Sequence, residues 1–513
     1  MRIKRAWFRA LLRRRIAVST LLILQVLFIG CMIGYEQPVT KYIQTCLHVV
    51  SIIIVLHVIS QKDKGANKAT WVFLILLFPL FGSVFYILYY FQSSTVRFRK
   101  EISKIKCESS SLYQLPGDAW DVSRDTIPQH LPQIRYLQQF AGFPIFDATD
   151  IHYFSPGEQF MEPFLAELKK AQKYIFIEYF IIEEGVLWNS ILDILKEKAQ
   201  QGVEVRIIYD DIGCFLTLPK NYGQQLRQYG IKCVMFNPFR PILSAMQNNR
   251  DHRKTASIDG KVAFTGGLNL ADEYINRVKK YGYWKDSAIM VEGKAAWSLT
   301  LMFLEMWALC VKQTEDFEAF YPWKEASCPI AGEGFVQPYT DSPMDGENVC
   351  EHVYLQILNR AETYVYITTP YLIIDDSMVS ALCLAAKSGV DVRIITPHVW
   401  DKALIHMTTR SYYRELIQGG VKIYEYSKGF IHSKMFISDD KTASIGTANL
   451  DFRSLYLHFE CGVWMYGNHV VIEAKEDFLN TVSDCQQISE EMCRGNLVTR
   501  LLQNILRLFA PLM

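Results

Sequence analysis

The strongest constraint on the fold of this chain is that its body contains one series of segments twice. The segment "GVEVRIIYD" (202–210) is nearly repeated as "GVDVRIITP" (389–397). In each copy a strand-like run and a helical pattern come before the segment, and a second glycine-started strand follows it. A shared order of elements indicates one fold used twice. The alternation of strand and helix predicts an α/β layer with a mixed, largely parallel sheet flanked by helices.

The predicted seam between the copies is "YPWKEASCPIAGEGF" (321–335), which is rich in Pro, Gly and Ser. It separates a first half at 141–325 from a second at 330–493, and we expect the two halves to pack pseudo-symmetrically. The other predicted segments are a basic N-terminus (1–15), a transmembrane segment (16–92), a linker (93–140) and an amphipathic tail (494–513). The tail has apolar residues at helical spacing, so it either packs on the body or lies on a membrane surface.

Three apolar runs at the start of the chain predict a membrane anchor. They are Ile16–Tyr35, Tyr42–Ser60 and Trp71–Phe91, and none contains Lys, Arg, Asp or Glu. Each has about the ~20 residues that a helix needs to cross the hydrocarbon layer. We therefore predict about three transmembrane helices and a multi-pass protein of the cell membrane. Pro79 should kink the third run or make it re-entrant. Basic residues flank both ends of the segment, so its orientation stays open.

Overall composition excludes some classes of protein. The net charge of +1 argues against a general nucleic-acid binder, which usually carries a strong basic excess. The twelve cysteines include no CxxC pair and no regular spacing, so neither a zinc site nor a disulfide framework is predicted.

Each half carries the pattern His-x-Lys-x4-Asp. The two sets are His252, Lys254 and Asp259 in the first half and His432, Lys434 and Asp439 in the second. A glycine follows each histidine by fourteen residues (Gly266 and Gly446) and an asparagine by seventeen (Asn269 and Asn449). One such pattern arises by chance, but two in duplicated frames are a strong signal. Residues i and i+2 of a strand point to one face, so His and Lys project together while Asp faces away or lies on the next turn.

Two such sets meeting at one cleft would suit a phosphate ester. Lysine and asparagine side chains donate to non-bridging phosphate oxygens. An imidazole serves near neutral pH as nucleophile or proton carrier. With a histidine on each side of phosphorus, one attacks and the other protonates the departing oxygen. The fixed positive charge of the lysines argues against a catalytic divalent ion, so neither a metal nor a cofactor is predicted.

Two carboxylates are predicted to orient these histidines. Aligning "YWKDSAIMVEG" (283–293) with "LHFECGVWMYG" (457–467) pairs Asp286 with Glu460, 34 and 28 residues after the histidines of their own halves. A carboxylate on one ring nitrogen fixes the tautomer of the other. The alternative is a surface or structural ion pair.

The paired motifs resemble those of the phospholipase D superfamily, for which they are the hallmark. The segments "AFTGGLNLADEYI" (263–275), "GTANLDFRSLYLHFE" (446–460) and "NKATWVFLILLFPLFGSVFYILYY" (67–90) are similar to the bacterial cardiolipin synthase branch. The likeness runs from about Tyr42 to the C-terminus. Two departures are the first apolar run, which looks like an addition, and His458, where the family usually has Asn.

The resemblance implies that two phosphatidylglycerol molecules give cardiolipin and glycerol through a phosphatidyl-histidine. By analogy His252 is the nucleophile and His432 the acid and base, although the pseudo-symmetry allows the reverse. The phosphate would be held by Lys254, Lys434, Asn269 and Asn449. Asp259 and Asp439 belong to the catalytic motif, yet their spacing suggests that they brace their loops. The implied partners are phosphatidylglycerol and the bilayer, with no nucleic acid.

Other functions remain compatible with these motifs. A membrane-bound phospholipase D-type hydrolase or nuclease, a headgroup-exchanging phosphatidyltransferase such as one making phosphatidylserine, and a catalytically dead membrane scaffold are the alternatives. The motifs do not separate transfer from hydrolysis. The anchor and the near-zero net charge count against a nuclease, and two intact motifs count against a scaffold.

Overall fold

The computed structural model describes residues 38–90, 92–113, 119–240, 245–324, 328 and 330–512, together with Ile23 and Gly30. The basic start and, apart from those two residues, the first apolar run lie outside this part of the chain. The chain divides into two compact units. One takes residues up to Phe98, Phe239–Asn248 and those from Asn504 onward, and the other takes Arg99–Pro238 and Asn249–Gln503.

The smaller unit contains three apolar helices, α1 (Pro38–Ser60), α2 (Gly65–Leu77) and α3 (Pro79–Tyr90). Within α1, Lys41–Ser60 spans 20 residues with a mean hydropathy of 2.1, long enough to cross a bilayer. The third predicted run is interrupted at Pro79, because proline has no backbone N–H to donate to a helical hydrogen bond. It forms two helices of 13 and 12 residues, each below spanning length. Among the described residues one helix is therefore long enough to span a membrane.

The helices α2 and α3 fold back on each other. The ring of Trp71 lies 5.1 Å from that of Tyr86 and 5.4 Å from that of Tyr89, centroid to centroid. At Gly82 an added Cβ would lie 2.5 Å from the carbonyl oxygen of Leu74, so this close approach requires glycine. The pair forms an apolar hairpin that packs against α1.

The first half of the larger unit supplies one sheet and most of its flanking helices. Its helices, with the connecting helix α4, are α4 (Ser93–Tyr113), α5 (Ala119–Thr126), α6 (Leu131–Arg135), α7 (Glu158–Lys170), α8 (Val186–Gln200), α9 (Tyr222–Arg227) and α10 (Ala296–Val311). Its strands are β1 (Thr149–Phe154), β2 (Tyr174–Tyr179), β3 (Glu204–Asp210), β4 (Lys232–Phe236), β5 (Arg250–Asp251), β6 (Lys254–Ile258), β7 (Val262–Gly266), β8 (Tyr283–Lys285) and β9 (Ala288–Gly293).

The second half repeats this series. Its helices are α11 (Val349–Arg360), α12 (Asp376–Lys387), α13 (Ala403–Gln418), α14 (Phe452–Tyr456) and α15 (Val470–Val482), and the tail forms α16 (Leu497–Leu508). Its strands are β10 (Phe335–Asp341), β11 (Tyr364–Thr368), β12 (Leu372–Ile373), β13 (Asp391–Pro397), β14 (Lys422–Tyr426), β15 (Gly429–Ile431), β16 (Met435–Ser438), β17 (Thr442–Gly446), β18 (Leu450–Asp451), β19 (His458–Tyr466) and β20 (Cys485–Ile488).

Seven strands follow the same order in both large sheets, which agrees with the predicted duplication, and the second sheet has β20 in addition. The first runs β1-β9-β7-β6-β2-β3-β4 and the second runs β10-β19-β17-β16-β11-β13-β14-β20. The apolar helix α10 is buried along nearly its whole length and packs against strands of the first sheet and against β10. A helix that is apolar on every side belongs in a core, and α10 occupies that place here.

The prediction of a largely parallel sheet was wrong. In the first sheet only β2, β3 and β4 run parallel, joined by crossovers that contain α8 and α9. The strands β6 and β7 form a tight hairpin, and the pairs β2–β6, β7–β9 and β1–β9 are antiparallel as well. The strand–helix–strand pattern was correct for one part of each half, but the histidine motif continues into hairpins, which impose antiparallel pairing.

The halves interlock through two short parallel pairs. The strand β5 of the first half pairs with the start of β19 of the second half, and β15 of the second half pairs with β8 of the first. In each half, therefore, the short strand just before the motif histidine pairs with a strand of the other half.

Candidate active site

The two motif histidines lie where the chain passes from one of these short strands into a large sheet. His252 lies between β5 and β6, and its backbone N–H donates to the carbonyl of Phe459 over 3.0 Å. His432 lies between β15 and β16 and donates in the same way to Lys285 over 2.7 Å. The expectation that the His and Lys of each motif lie on one continuous strand was wrong, because each large-sheet strand begins only after the histidine. The break lets each histidine be held by a strand of the opposite half.

A buried carboxylate from the opposite half meets each histidine. Nδ1 of His252 lies 2.8 Å from Oε1 of Glu460, and Nδ1 of His432 lies 2.7 Å from Oδ2 of Asp286. The sequence placed each carboxylate downstream of the histidine of its own half, but the structure pairs them crosswise. Because Nδ1 is engaged, Nε2 is the ring nitrogen left for chemistry.

The two motif glycines allow the strands that carry these groups to approach. A Cβ on Gly266 would lie 2.5 Å from the carbonyl oxygen of Ser287, next to Asp286. A Cβ on Gly446 would lie 2.4 Å from the carbonyl oxygen of Cys461, next to Glu460. Only glycine fits at either position, which explains why both halves carry one at the same distance from the histidine.

The two motif lysines are buried beside the histidines. Nζ of Lys254 donates to the backbone carbonyl of His252 over 2.5 Å, and Lys434 donates to that of His432. Burial lowers the pKa of Lys254 to about 8 and that of Lys434 to about 7. Both ammonium groups therefore lose their proton at a lower pH than the ammonium group of a solvated lysine.

The four basic groups affect one another's ionisation. Burial, followed by the charge of Lys254, holds the pKa of His252 well below its usual range, and Lys434 and His432 contribute to this shift. Burial and Lys434 lower the pKa of His432 to about 4. Groups from both halves thus share one electrostatic site. An anion among them would relieve their repulsion, as a phosphate does.

The two carboxylates differ in their ionisation. Burial raises the pKa of Glu460 to about 8, although Thr447 Oγ1 donates to its Oε2 over 2.5 Å. Burial alone would also raise the pKa of Asp286, but His432 and Lys434 outweigh it and lower this pKa. The two halves are therefore alike in geometry and unlike in charge.

Comparison with known proteins assigns this arrangement to a family. The family described as "Cardiolipin synthase, PLD-like domain" matches residues 164–306 and 354–482, together more than half of the 513 residues. The chain belongs to the cardiolipin synthase family of phospholipase D-like proteins. A second family, described as "Phospholipase_D-nuclease N-terminal", matches residues 49–89, which include the second half of α1, all of α2 and nearly all of α3.

Known proteins match the chain over most of its length. An uncharacterized protein of Streptococcus mutans is 42% identical over 462 residues, covering 90% of this chain and 99% of that protein. A cardiolipin synthase of Geobacillus sp. WCH70 is 34% identical and covers 90% and 92%. Cardiolipin synthase 2 of Bacillus anthracis is 34% identical and covers 90% of each chain.

One solved structure shares the fold. The phosphatidylserine synthase of Haemophilus influenzae superposes with a TM-score of 0.55 at 16% identity, covering 72% of this chain and 94% of that one. At this identity the match concerns the fold alone.

The predicted asparagines occupy non-equivalent settings. Oδ1 of Asn269 accepts from the backbone N–H of Ile181 over 3.0 Å, and its Nδ2 donates to the hydroxyl of Tyr274 over 2.7 Å. Nδ2 of Asn449 donates to Oδ2 of Asp451 over 3.0 Å. The ring of Tyr274 lies 5.5 Å from that of His432, so Asn269 reaches the site through this tyrosine.

The two motif aspartates brace loops, as their spacing suggested. Asp259 accepts from the backbone N–H groups of Gln172, Lys173 and Tyr174 over 2.7–2.8 Å. Asp439 accepts in the same way from Glu362, Thr363 and Tyr364 over 2.8–3.0 Å. Asp259 follows β6 and Asp439 follows β16, so a whole strand separates each aspartate from the histidine of its motif. A strand of five residues is roughly 17 Å long. Neither is placed to touch a reacting phosphate.

Two rings that flank the histidines were not predicted to be part of the site. The ring of His458 lies 5.5 Å from that of His252, and the ring of Trp284 lies 5.4 Å from that of His432. The alignment that pairs Asp286 with Glu460 also pairs these two residues, so the signal was present. His458 is thus the counterpart of a tryptophan in the other half.

One group of side chains has the composition of a metal site. Within the described ranges, His252, His458 and Glu460 bring one donor atom each within 4.8 Å of one another. Lys254 and Lys434 supply positive charge to the same site, and this charge opposes the binding of a divalent cation. With its two lysines the site therefore suits an anionic ligand better than a metal ion.

Proposed function

We propose that the chain transfers a phosphatidyl group from one phosphatidylglycerol to a second, giving cardiolipin and glycerol through a phosphatidyl-histidine. One observation carries the proposal. Two buried histidines, one from each half, are each held at Nδ1 by a carboxylate of the other half, with two buried lysines beside them. Membership of the cardiolipin synthase family supports the reaction.

In the first step, Nε2 of His252 attacks the phosphorus of one lipid and forms an N–P bond. The bond from phosphorus to the glycerol oxygen breaks, and His432 gives its proton to that oxygen. An anionic phosphodiester beside His432 raises the pKa of this imidazole, which favours the protonated acid. Glu460 keeps the ring of His252 in place as positive charge develops on it.

In the second step, His432 is neutral and accepts the proton of a hydroxyl on the second phosphatidylglycerol. The hydroxyl oxygen attacks phosphorus, the N–P bond breaks, and His252 is released. One phosphodiester replaces another, so the reaction requires no nucleotide. The frames of the two histidines are equivalent, so the reverse assignment of the two roles is the competing version of this mechanism.

Positive charge and amides hold the phosphate during both steps. The ammonium groups of Lys254 and Lys434 neutralise the non-bridging oxygens, and Asn269 and Asn449 donate to them or position the groups that do. The role of Asp259 and Asp439 is to hold the turns that end the motif strands.

Burial favours transfer to a lipid over hydrolysis. His252 and His432 are each only 8% exposed, so little bulk water reaches the rings. Proteins of this family are membrane-associated, and α1 is long enough to tether the chain. Tethering raises the local concentration of both lipid substrates. A multi-pass anchor, with the first apolar run as a further span, is part of the proposal.

Phosphatidylglycerol vesicles test the function directly. The purified chain is reconstituted in them, and lipid and water-soluble products are followed by mass spectrometry. Cardiolipin and glycerol in equal amounts support transfer. Phosphatidic acid without cardiolipin would indicate a hydrolase, and unchanged lipid would indicate a scaffold.

A further inference from the structure

The tail helix α16 takes no part in the proposed reaction and has an unusually clean division of its surface. Its sequence is "LVTRLLQNILRL". At about 100° of rotation per residue, all seven apolar side chains fall on one half of the helix and all five polar ones on the other. Leu497, Val498, Leu501 and Ile505 lie on the apolar half, and Arg500 and Gln503 lie on the polar half.

Most of the apolar half of α16 is exposed, and only Leu506 and Leu508 on this face are half-buried. Leu497 is 82%, Val498 73% and Leu501 60% exposed, and none of the twelve residues of this described helix is buried. A helix of this length is marginal in water unless a surface covers its apolar side. The exposed face therefore requires a partner.

Charge favours an anionic bilayer as that partner. The tail from Arg494 to Met513 contains three arginines and no lysine, aspartate or glutamate. An amphipathic helix with a basic polar face lies in the plane of an anionic membrane, with its apolar side among the upper acyl segments.

The far end of the tail is joined to the apolar hairpin of the smaller unit. The hydroxyl of Thr70, in the first turns of α2, donates to the carbonyl of Leu508 over 2.6 Å. The rings of Phe73 and Phe509 lie 5.9 Å apart, edge to face. The helix α2 begins just after the polar turn that ends α1, where Nζ of Lys68 donates to the carbonyl of Ile59. The tail thus contacts α2 near the end that follows the polar turn, where the charged Lys68 borders the apolar helices.

We propose that α16 lies in the headgroup layer of an anionic membrane, with Leu497, Val498, Leu501 and Ile505 toward the acyl chains and Arg500 toward the headgroups. This helix would form a second, lateral contact of the chain with the bilayer, in addition to α1. The competing partners for the apolar face are the body of the same chain and a second copy.

Site-specific photo-crosslinking tests the proposal without reference to turnover. The whole chain is prepared with Leu501→p-benzoylphenylalanine or, as the matched polar-face control, Gln503→p-benzoylphenylalanine, in vesicles of phosphatidylglycerol and phosphatidylcholine. After irradiation, lipid adducts are quantified by mass spectrometry. We expect position 501 to give at least fivefold more lipid adduct than position 503.

Vesicle charge supplies a second arm. In pure phosphatidylcholine vesicles the lipid adduct at position 501 should fall at least threefold, and Arg500→Gln in the phosphatidylglycerol vesicles should lower it as well. Adducts from position 501 to the body of the chain, or to a second copy, would overturn the proposal. Equal lipid labelling at positions 501 and 503 would overturn it too.

Discussion

Nδ1 of His252, in the first half of the chain, lies 2.8 Å from Oε1 of Glu460, in the second half. The second half receives the same support in return, because Nδ1 of His432 lies 2.7 Å from Oδ2 of Asp286. Among the described residues, no carboxylate of the same half is bonded to either motif histidine. The duplicated halves therefore form one catalytic site that requires both.

Replacing Glu460 should damage catalysis through His252. Glu460→Gln keeps the size of the side chain but replaces the carboxyl group beside Nδ1 of His252 with an amide that cannot ionise, and we expect kcat to fall about 10²-fold or more. The double variant Glu460→Gln/His252→Ala should be hardly less active than His252→Ala alone, because the two residues act as one unit. Glu333→Gln, at a glutamate that is 75% exposed, is the control and should leave kcat unchanged. Independent, additive losses would contradict the cross-half pairing.

Each histidine should be indispensable for turnover. His252→Ala and His432→Ala remove nucleophile and acid respectively, so cardiolipin formation should fall at least 10³-fold in each. The exposed His152, which pairs with Asp150 on β1, provides the matched control His152→Ala. Lipid products are measured in phosphatidylglycerol vesicles, and melting temperatures check that all three variants fold. Wild-type activity in either motif variant would refute the paired mechanism.

Because the pKa values of the two motif lysines are lowered, we expect the enzyme to lose activity at alkaline pH. The pKa values of Lys434 and Lys254 are lowered to about 7 and about 8, so their ammonium charges are lost as the pH rises through this range. Phosphate binding then weakens, and kcat/KM for phosphatidylglycerol should fall between pH 7 and 9. Lys434→Arg keeps its charge at high pH and should flatten this limb even though its rate is lower. A kcat/KM that stays level or rises from pH 7 to 9 would contradict the assignment.

The aspartates should act on stability and not on chemistry. Asp259→Ala leaves three backbone N–H groups without their acceptor, which should lower the free energy of unfolding by about 1–3 kcal/mol. Asp439→Ala should behave similarly. We expect kcat to stay within tenfold of the parent when it is measured below the melting temperature. A 10³-fold loss of kcat at unchanged stability would place these carboxylates in the reaction.

The sequence predicted the members of the site better than their arrangement. Equal spacings in the two halves identified His252 and His432 with their lysines, because a duplicated local frame leaves a repeated local pattern. The crossing of Glu460 to His252 had no local signal, since it depends on β5 leaving its own sheet to pair with β19. Long-range strand exchange of this kind is a property of tertiary packing.

The errors in the fold have similar causes. The parallel pairing of β2 and β3 follows from the helix between them, but β6 and β7 are joined by a short turn whose geometry permits only an antiparallel pair. In the membrane segment, Pro79 indicated a break, yet the packing of Trp71 on Tyr86 is what makes α2 and α3 a hairpin. A hydropathy pattern alone does not contain that contact.

A burst experiment tests the central claim most directly, that two histidines from separate halves act on one phosphorus. The substrate is a phosphatidyl ester of p-nitrophenol, whose leaving group needs no acid. His432→Ala should release one p-nitrophenol per site and leave a phosphatidyl adduct on His252, identified by peptide mass spectrometry, because no base remains to complete the transfer. His252→Ala should show neither burst nor adduct. A burst in His252→Ala with an adduct on His432 would reverse the assigned roles, and no adduct on either histidine would contradict the account.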